Sequence, residues 1–218
     1  KLSFSDEMII DFHYRPFTKK KYYSEKLLSD RLTSNHFQIF GIDLNEQNKV
    51  ISFSGIGASK PFILLASSLL SGVDYLEKTQ CLPLYRYPEK GERIDNITDW
   101  GLEQFRKHYG PTPNPSKGGE SRKSPLERGF RGVSINKEDI FHYVYAVLHN
   151  PAYRKKYELN LKREFPRIPF YKDFWQWAKW GKQLMELHIN YEKAEQFALK
   201  ENTYSVKAEA KRQKEMFA

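Results

Sequence analysis

Apolar residues recur at helical spacing most clearly in residues 135–192. Ile140, Tyr143, Val144, Val147 and Leu148 mark one face of a helix, and Asn136 with Asp139 three residues on forms a capping pair at its start. Pro151 suits a first helical turn, where its missing N–H has no partner, and Asn150 stands in capping position. A second helix is therefore predicted from 151 to about 165. Pro166 and Pro169 forbid helix and predict an extended corner. Beyond it Asp173, Phe174, Trp177, Trp180, Leu184, Leu187 and His188 trace a third stripe. Trp175 lies two residues before Trp177 and so off that stripe, which puts Trp177 and Trp180 in the core and turns Trp175 toward a partner.

The first hundred residues carry shorter patterns. Residues 9–23, IIDFHYRPFTKKKYY, read as a strand and loop, and 24–31 as a short helix. Residues 37–44 and 49–54 read as two strands of a hairpin, turned by Asn45, Glu46, Gln47 and Asn48. Residues 54–61 form a glycine-containing loop that should enter a helix, with Ser59 as its cap and Pro61 at an early position. Residues 81–87, CLPLYRY, predict a further strand, and Thr98 can cap a helix over 99–109 whose Trp100, Leu102, Phe105 and Tyr109 supply apolar surface. These elements predict an α+β fold, a mixed or antiparallel sheet from the N-terminal half packed with a helical C-terminal half. Residues 1–97 would be its β-rich part and 98–192 its helical part. Two segments stand apart. Of the 23 residues 111–133, 11 are Pro, Gly or Ser, which predicts a flexible insertion between two helices. Residues 193–218 form a charged tail, either a frayed helix or the start of a continuation, and the chain opens on Lys1 rather than methionine, as an excised piece would.

Charge sharpens this outline. The net charge is +9 and the pI about 9.4, the balance of a protein that meets polyanions, although a basic face can also be merely solvated. Arg15, Lys19, Lys20 and Lys21 sit among aromatic rings, so that cations could reach phosphates while rings pack; the alternative is an edge strand guarded by lysines. Ser59 and Lys60, at the expected helix start, could hold a backbone phosphate. Strand alternation places Arg86 opposite Tyr85 and Tyr87, where it could read a guanine or pair with a carboxylate. With 14 Tyr and 15 Phe the core should be built from rings with polar tips at its margins.

Several chemistries leave no motif. Nucleotide P-loop, nucleophile-elbow and HExxH patterns are absent, and the histidines at 13, 36, 108, 142, 149 and 188 are scattered. His149 and His188 each follow a leucine near a helix end, where a packed, hydrogen-bonded histidine is the ordinary case. A base-flipping methyltransferase needs a [DNS]-P-P-[YFW] loop; Asn150-Pro151-Ala152-Tyr153 lacks its second proline and reads as a helix cap. Cys81, the single cysteine, excludes an internal disulfide and agrees with a reducing cytoplasm. No apolar run approaches membrane-spanning length and no signal-peptide pattern opens the chain, so no membrane partner is expected.

One run, IFHYVYAVLHNPAYRKKYELNLKREFPRIPF followed by FWQWAKWGKQLMELHINYE, resembles the C-terminal specificity domain of type ISP restriction-modification enzymes. Tyr14-Arg15-Pro16-Phe17, Pro83-Leu84-Tyr85-Arg86-Tyr87 and Asn96-Ile97-Thr98-Asp99-Trp100 resemble that family in the same order, so the likeness spans most of residues 14–192. Enzymes of this family combine a nuclease, an ATP-driven translocase, an adenine methyltransferase and a target recognition domain in one polypeptide. The resemblance implies sequence-specific recognition of duplex DNA, with a methyltransferase domain of the same or a companion chain as the second partner and catalysis residing elsewhere. It implies no cofactor in this domain, and S-adenosylmethionine, ATP and magnesium for the parent enzyme. Two alternatives stay open: a structural coupling domain without base readout, and an independent metal-dependent nuclease using carboxylates such as Asp6, Asp11 and Asp43.

Overall fold

The computed structural model describes residues 4–29, 32–110 and 134–195. Its strands are β1 (Ile9–Arg15), β2 (Thr18–Tyr23), β3 (Val50–Phe53), β4 (Leu64–Ser67), β5 (Leu70–Ser71), β6 (Gln80–Pro83), β7 (Tyr85–Arg86) and β8 (Ile94–Asp95). Its helices are α1 (Ser34–Phe40), α2 (Asp99–Tyr109), α3 (Lys137–His149), α4 (Pro151–Lys156), α5 (Glu158–Leu161) and α6 (Phe174–Ile189). The strands form three small sheets: a mixed one in the order β2-β1-β5, an antiparallel one in the order β4-β3-β6, and the antiparallel pair β7-β8. The α+β class is thus as expected.

β3 is the hinge of the architecture because it is buried on both faces. Successive side chains of a strand point to opposite sides. Ile51 and Phe53 accordingly face the helical core, where they meet Phe62, Leu64, Tyr145 and Val147, while Val50 faces a second core with Ile10, Phe40, Leu44 and Leu70. The same alternation in β4 sends Leu64 and Ala66 to the first core and Leu65 to a small third one with Tyr75 and Leu76.

α3 occupies the middle of the helical half. Its capping box forms as expected: Asn136 Oδ1 accepts from the Asp139 N–H at 2.9 Å and Asp139 Oδ2 accepts from the Asn136 N–H at 3.0 Å. Burial extends around nearly the whole circumference of α3, well beyond one stripe, because α6 covers one side, α2 touches another, and Ile51, Phe53, Leu64 and Ala66 of the antiparallel sheet share its core. Gly181 of α6 permits the close approach, since a Cβ there would lie 1.8 Å from the His142 carbonyl oxygen. Thr98 caps α2 through the Gly101 N–H, and Asn150 caps α4 through the Ala152 N–H.

Several expectations are overturned. Residues 37–40 are helical, not a strand, because Thr33 and His36 cap one another and Phe37 and Phe40 then fall one turn apart over the second core. Residues 54–61 lead into β4, not a helix, so Ser59 caps nothing. The helix from Pro151 breaks at Tyr157 and ends with α5 at Leu161. In α6 the buried stripe is Phe174, Ala178, Gly181 and Met185; Trp177 is half-buried, stacked on Tyr171, and Trp180 is 50% exposed. Trp175, expected to face outward, packs against the helical core. The short helix over 24–31 contracts to a 3-10 turn at Lys26–Leu28, with positions 30 and 31 outside the described residues. The insertion expected at 111–133 and nearly all of the tail expected at 193–218 also lie outside them.

Candidate nucleic-acid interface

The β1–β2 hairpin carries the first group of candidate cations. Register pairs Asp11 with Lys21 and Phe12 with Lys20, so the pleat sends Lys19 and Lys21 to one face and Lys20 to the other. Each has a partner within the chain. Lys19 binds Glu192 at 2.5 Å and sits over the Tyr191 ring, tying the hairpin to the turn after α6. Lys20 stands 4.0 Å above the Tyr14 ring, and Lys21 pairs with Asp11 at 2.8 Å. Arg15 donates from Nη1 to the Asp74 carbonyl oxygen at 2.5 Å. The lysine run is therefore split across two faces. The exposed Lys21–Asp11 pair is of the weak kind that an incoming phosphate can displace.

Residues 54–61 do hold an anion, and it belongs to this chain. The Ser59 N–H and hydroxyl each donate to Glu77 Oε1 at 2.8 Å, and the Lys60 N–H donates to Glu77 Oε2 at 3.2 Å. These bonds, led by the one from the Ser59 backbone, hold the Glu77 carboxyl below its ordinary range. Lys78 completes the clasp by donating from Nζ to the Gly57 carbonyl oxygen. A backbone phosphate would have to compete with Glu77 for both N–H groups. Arg86 is exposed, with no ion pair among the described residues, while Tyr85 and Tyr87 on either side are half-buried, as alternation requires.

Sequence reasoning treated residues 45–48 as a turn and nothing more. In the structure they border a cleft of about 610 Å³ between the β1–β2 hairpin and the loop of residues 41–49. Its floor is apolar, from Ile10, Phe40, Leu44 and Leu70. Its rim is polar: Asp11 and Lys21 on the hairpin, Asn45, Glu46 and Gln47 on the loop, and Arg93, whose guanidinium lies 3.9 Å over the Tyr85 ring. The loop is held firmly. Gly41 and Leu44 both adopt positive φ, 74° and 56°, and Leu44 is only 3% exposed. The buried Asn48 side chain donates to the carbonyls of Ile39 and Tyr85 and accepts from the Lys49 and Tyr85 N–H groups. Turn-forming and base-contacting residues are of the same types, so nothing in the run Asn45-Glu46-Gln47 separates the two uses.

Among the described residues no three His, Cys, Asp or Glu side chains form a group that could hold a metal ion, Asp6, Asp11 and Asp43 included. His188 is bonded to the Tyr145 hydroxyl at 2.5 Å, whereas His149 meets Arg154 through Nδ1 at 3.4 Å and leaves Nε2 buried without a partner.

The sequence signature of the Type ISP C-terminal specificity domain matches residues 1–217. No curated protein matches the chain. Among solved structures, the cryoEM structure of the DrdV–DNA complex is similar at 43% identity and a TM-score of 0.76 over 96% of this chain. A nuclease-deletion mutant of the Type ISP restriction-modification enzyme LlaGI, in complex with a DNA substrate mimic, is 30% identical with a TM-score of 0.67 over 91% of the chain. The ATP-dependent Type ISP restriction-modification enzyme LlaBIII, bound to DNA, is 27% identical with a TM-score of 0.69 over 91%. The chain spans 19%, 15% and 12% of those three proteins. A match over practically every residue, joined to a shared fold at these identities, places the chain in the family of Type ISP C-terminal specificity domains.

Proposed function

We propose that this domain selects the DNA target of a type ISP restriction-modification enzyme, reading duplex sequence on behalf of an adenine methyltransferase and nuclease on the same or a companion chain. The observation that carries the reading is the match to a specificity domain along residues 1–217, supported by similarity to three proteins solved with DNA. In such a division of labour, phosphate contacts give affinity and register while a few side chains at base edges give specificity. Lys20, Lys21 and Arg86 are suited to phosphates; Arg15 and Lys19 serve first to fasten the hairpin, and Ser59 and Lys60 to hold Glu77. The methyl donor, ATP and magnesium would be handled by other parts of the parent enzyme, and its place of work would be the cytoplasm. No helix among the described residues is long and apolar enough to cross a membrane.

Binding to random-sequence duplex across a salt titration tests this. Affinity should fall with salt, and Lys20→Ala and Lys21→Ala should each flatten the log–log slope by about 0.9 if each cation holds one phosphate. Absence of binding at low salt would contradict the reading. It would favour a coupling role without base readout, for which exposed apolar side chains such as Trp100 and, on the outer face of α6, Trp180 and Leu187 offer a protein-facing surface.

A further inference from the structure

We infer that the loop of residues 41–49 is the base-reading element of the domain, with Asn45 and Gln47 suited to adenine edges and Glu46 to the amine of cytosine. The inference rests on the proposal that the domain recognises duplex DNA and names the side chains that would do it.

Three observations converge on this loop. Its backbone is over-determined: besides the two positive-φ positions and the four hydrogen bonds of Asn48, the Glu46 N–H donates to the Phe40 carbonyl oxygen at 2.9 Å and the Tyr87 hydroxyl to that of Gln47 at 2.6 Å. A solvated connection needs none of this, whereas side chains that must meet a ligand in one register need a rigid support. Its outward side chains, in contrast, are uncommitted. Ile42 is 78% exposed, and Asp43, Asn45, Glu46 and Gln47 are exposed with no side-chain hydrogen bond or ion pair among the described residues. Gly41 contributes here as well, since the Glu46 stem crosses the space a Cβ would fill.

The third observation is chemical. Amide side chains offer the donor and acceptor pair that matches adenine N7 and N6, a carboxylate accepts from cytosine N4, and an aliphatic side chain packs on the thymine methyl. Carboxylates are repelled by phosphates, so Asp43 and Glu46 are out of place on a surface that only tracks the backbone. At base edges they are usable. The cations that would face phosphates stand beside the loop rather than on its tip, Lys21 across the cleft and Arg93 against Tyr85. Acids and amides at the centre flanked by cations is the layout expected when base edges are read between two lines of phosphate.

The test is selection of bound sequences from a randomised duplex pool by the intact chain and by Asn45→Ala, Gln47→Ala and Glu46→Gln variants whose melting temperatures are unchanged. Wild type should enrich one motif, and each variant should lose preference at one or two of its base pairs by roughly 5- to 150-fold, the range of a single bidentate base contact. If wild type enriches a motif and the variants enrich the same one with the same preferences, the loop is not the reader while target recognition stands. If wild type enriches nothing, recognition itself fails and this inference with it. A variant that weakens binding to all sequences alike, with the motif intact, also overturns it, because that is the behaviour of a phosphate contact.

Discussion

Tyr143 shows how single residues hold the helical half together. Its side chain is fully buried among Phe105, Phe174 and Tyr109, and its hydroxyl donates to the Pro169 carbonyl oxygen while accepting the Tyr171 N–H, both at 2.7 Å. One oxygen on α3 therefore fixes the extended corner that precedes α6. Tyr143→Phe removes that oxygen at almost unchanged volume and strands two backbone groups, which should lower stability by about 1–3 kcal/mol. Chemical denaturation would measure it, and an unchanged midpoint would show that water replaces the hydroxyl. Neighbouring rings behave as the aromatic composition suggested, with polar tips at the core margin: the Tyr109 hydroxyl donates to the Tyr171 carbonyl oxygen and the Tyr153 hydroxyl to that of Arg167. The partners of these hydroxyls lie in residues 167–171, which no local pattern connects to α2 or α3.

At the scale of elements, α3 and α6 form the tightest pairing, and Gly181 is where they touch. Alanine normally favours a helix interior over glycine by about 1 kcal/mol. Here the added Cβ would strike the His142 carbonyl and approach the Ala146 N–H, both backbone and unable to swing aside. Gly181→Ala should therefore destabilise, by about 1–3 kcal/mol as for other overpacked interiors; a rise in Tm would contradict the close crossing. Element starts were legible because their signals are local: Asn136 with Asp139, Thr98, and Asn150 before Pro151 mark the observed caps of α3, α2 and α4. Element types failed where tertiary contacts decided. His36 to Phe40 are as apolar and aromatic as a strand, yet the second core takes Phe37, Ile39 and Phe40 as helix. Trp180 fits the apolar period of α6, but the period continues past the width of the surface it packs on, and the smaller Ala178 and Gly181 take the buried places. Of the candidate interface, the basic and aromatic composition of residues 9–23 was legible in the sequence, but the partners that its side chains take within the fold were not. The Lys19 ammonium found its partner within the chain at Glu192, and the Ser59 hydroxyl and the Ser59 and Lys60 N–H groups found theirs at Glu77, both remote in sequence.

For the whole molecule, buried histidines set the acid limit. Burial pushes His13 down to about 4, with Lys19 nearby adding to the shift and Glu192 opposing it; burial does the same to His142, also to about 4, and to His149, to about 3. A folded value below the ordinary 6.5 means that the unfolded chain binds the proton first, so stability is full above about pH 6.5 and declines as pH falls toward 4. The depressed carboxylates Glu77, Asp99 and Glu192 add their loss only below their ordinary 4.5, 3.8 and 4.5. A fall in Tm between pH 6.5 and 5 therefore reports the histidines, and a flat Tm over that interval would contradict their buried, neutral state. His13 and His188 lie where the hairpin meets the end of α6, through ring contacts to Tyr191 and Phe17. Acid should loosen the seam between the mixed sheet and the helical half.

This basic α+β domain is proposed to distinguish DNA sequences. The most direct measurement takes whatever duplex the wild-type chain enriches from a random pool and compares its affinity with that of random duplex at one physiological salt concentration. The expected ratio is roughly 10³ or more, the lower end of specific protein–DNA recognition. Equal affinities, with binding that depends on salt alone, would contradict it and reduce the domain to a nonspecific basic surface.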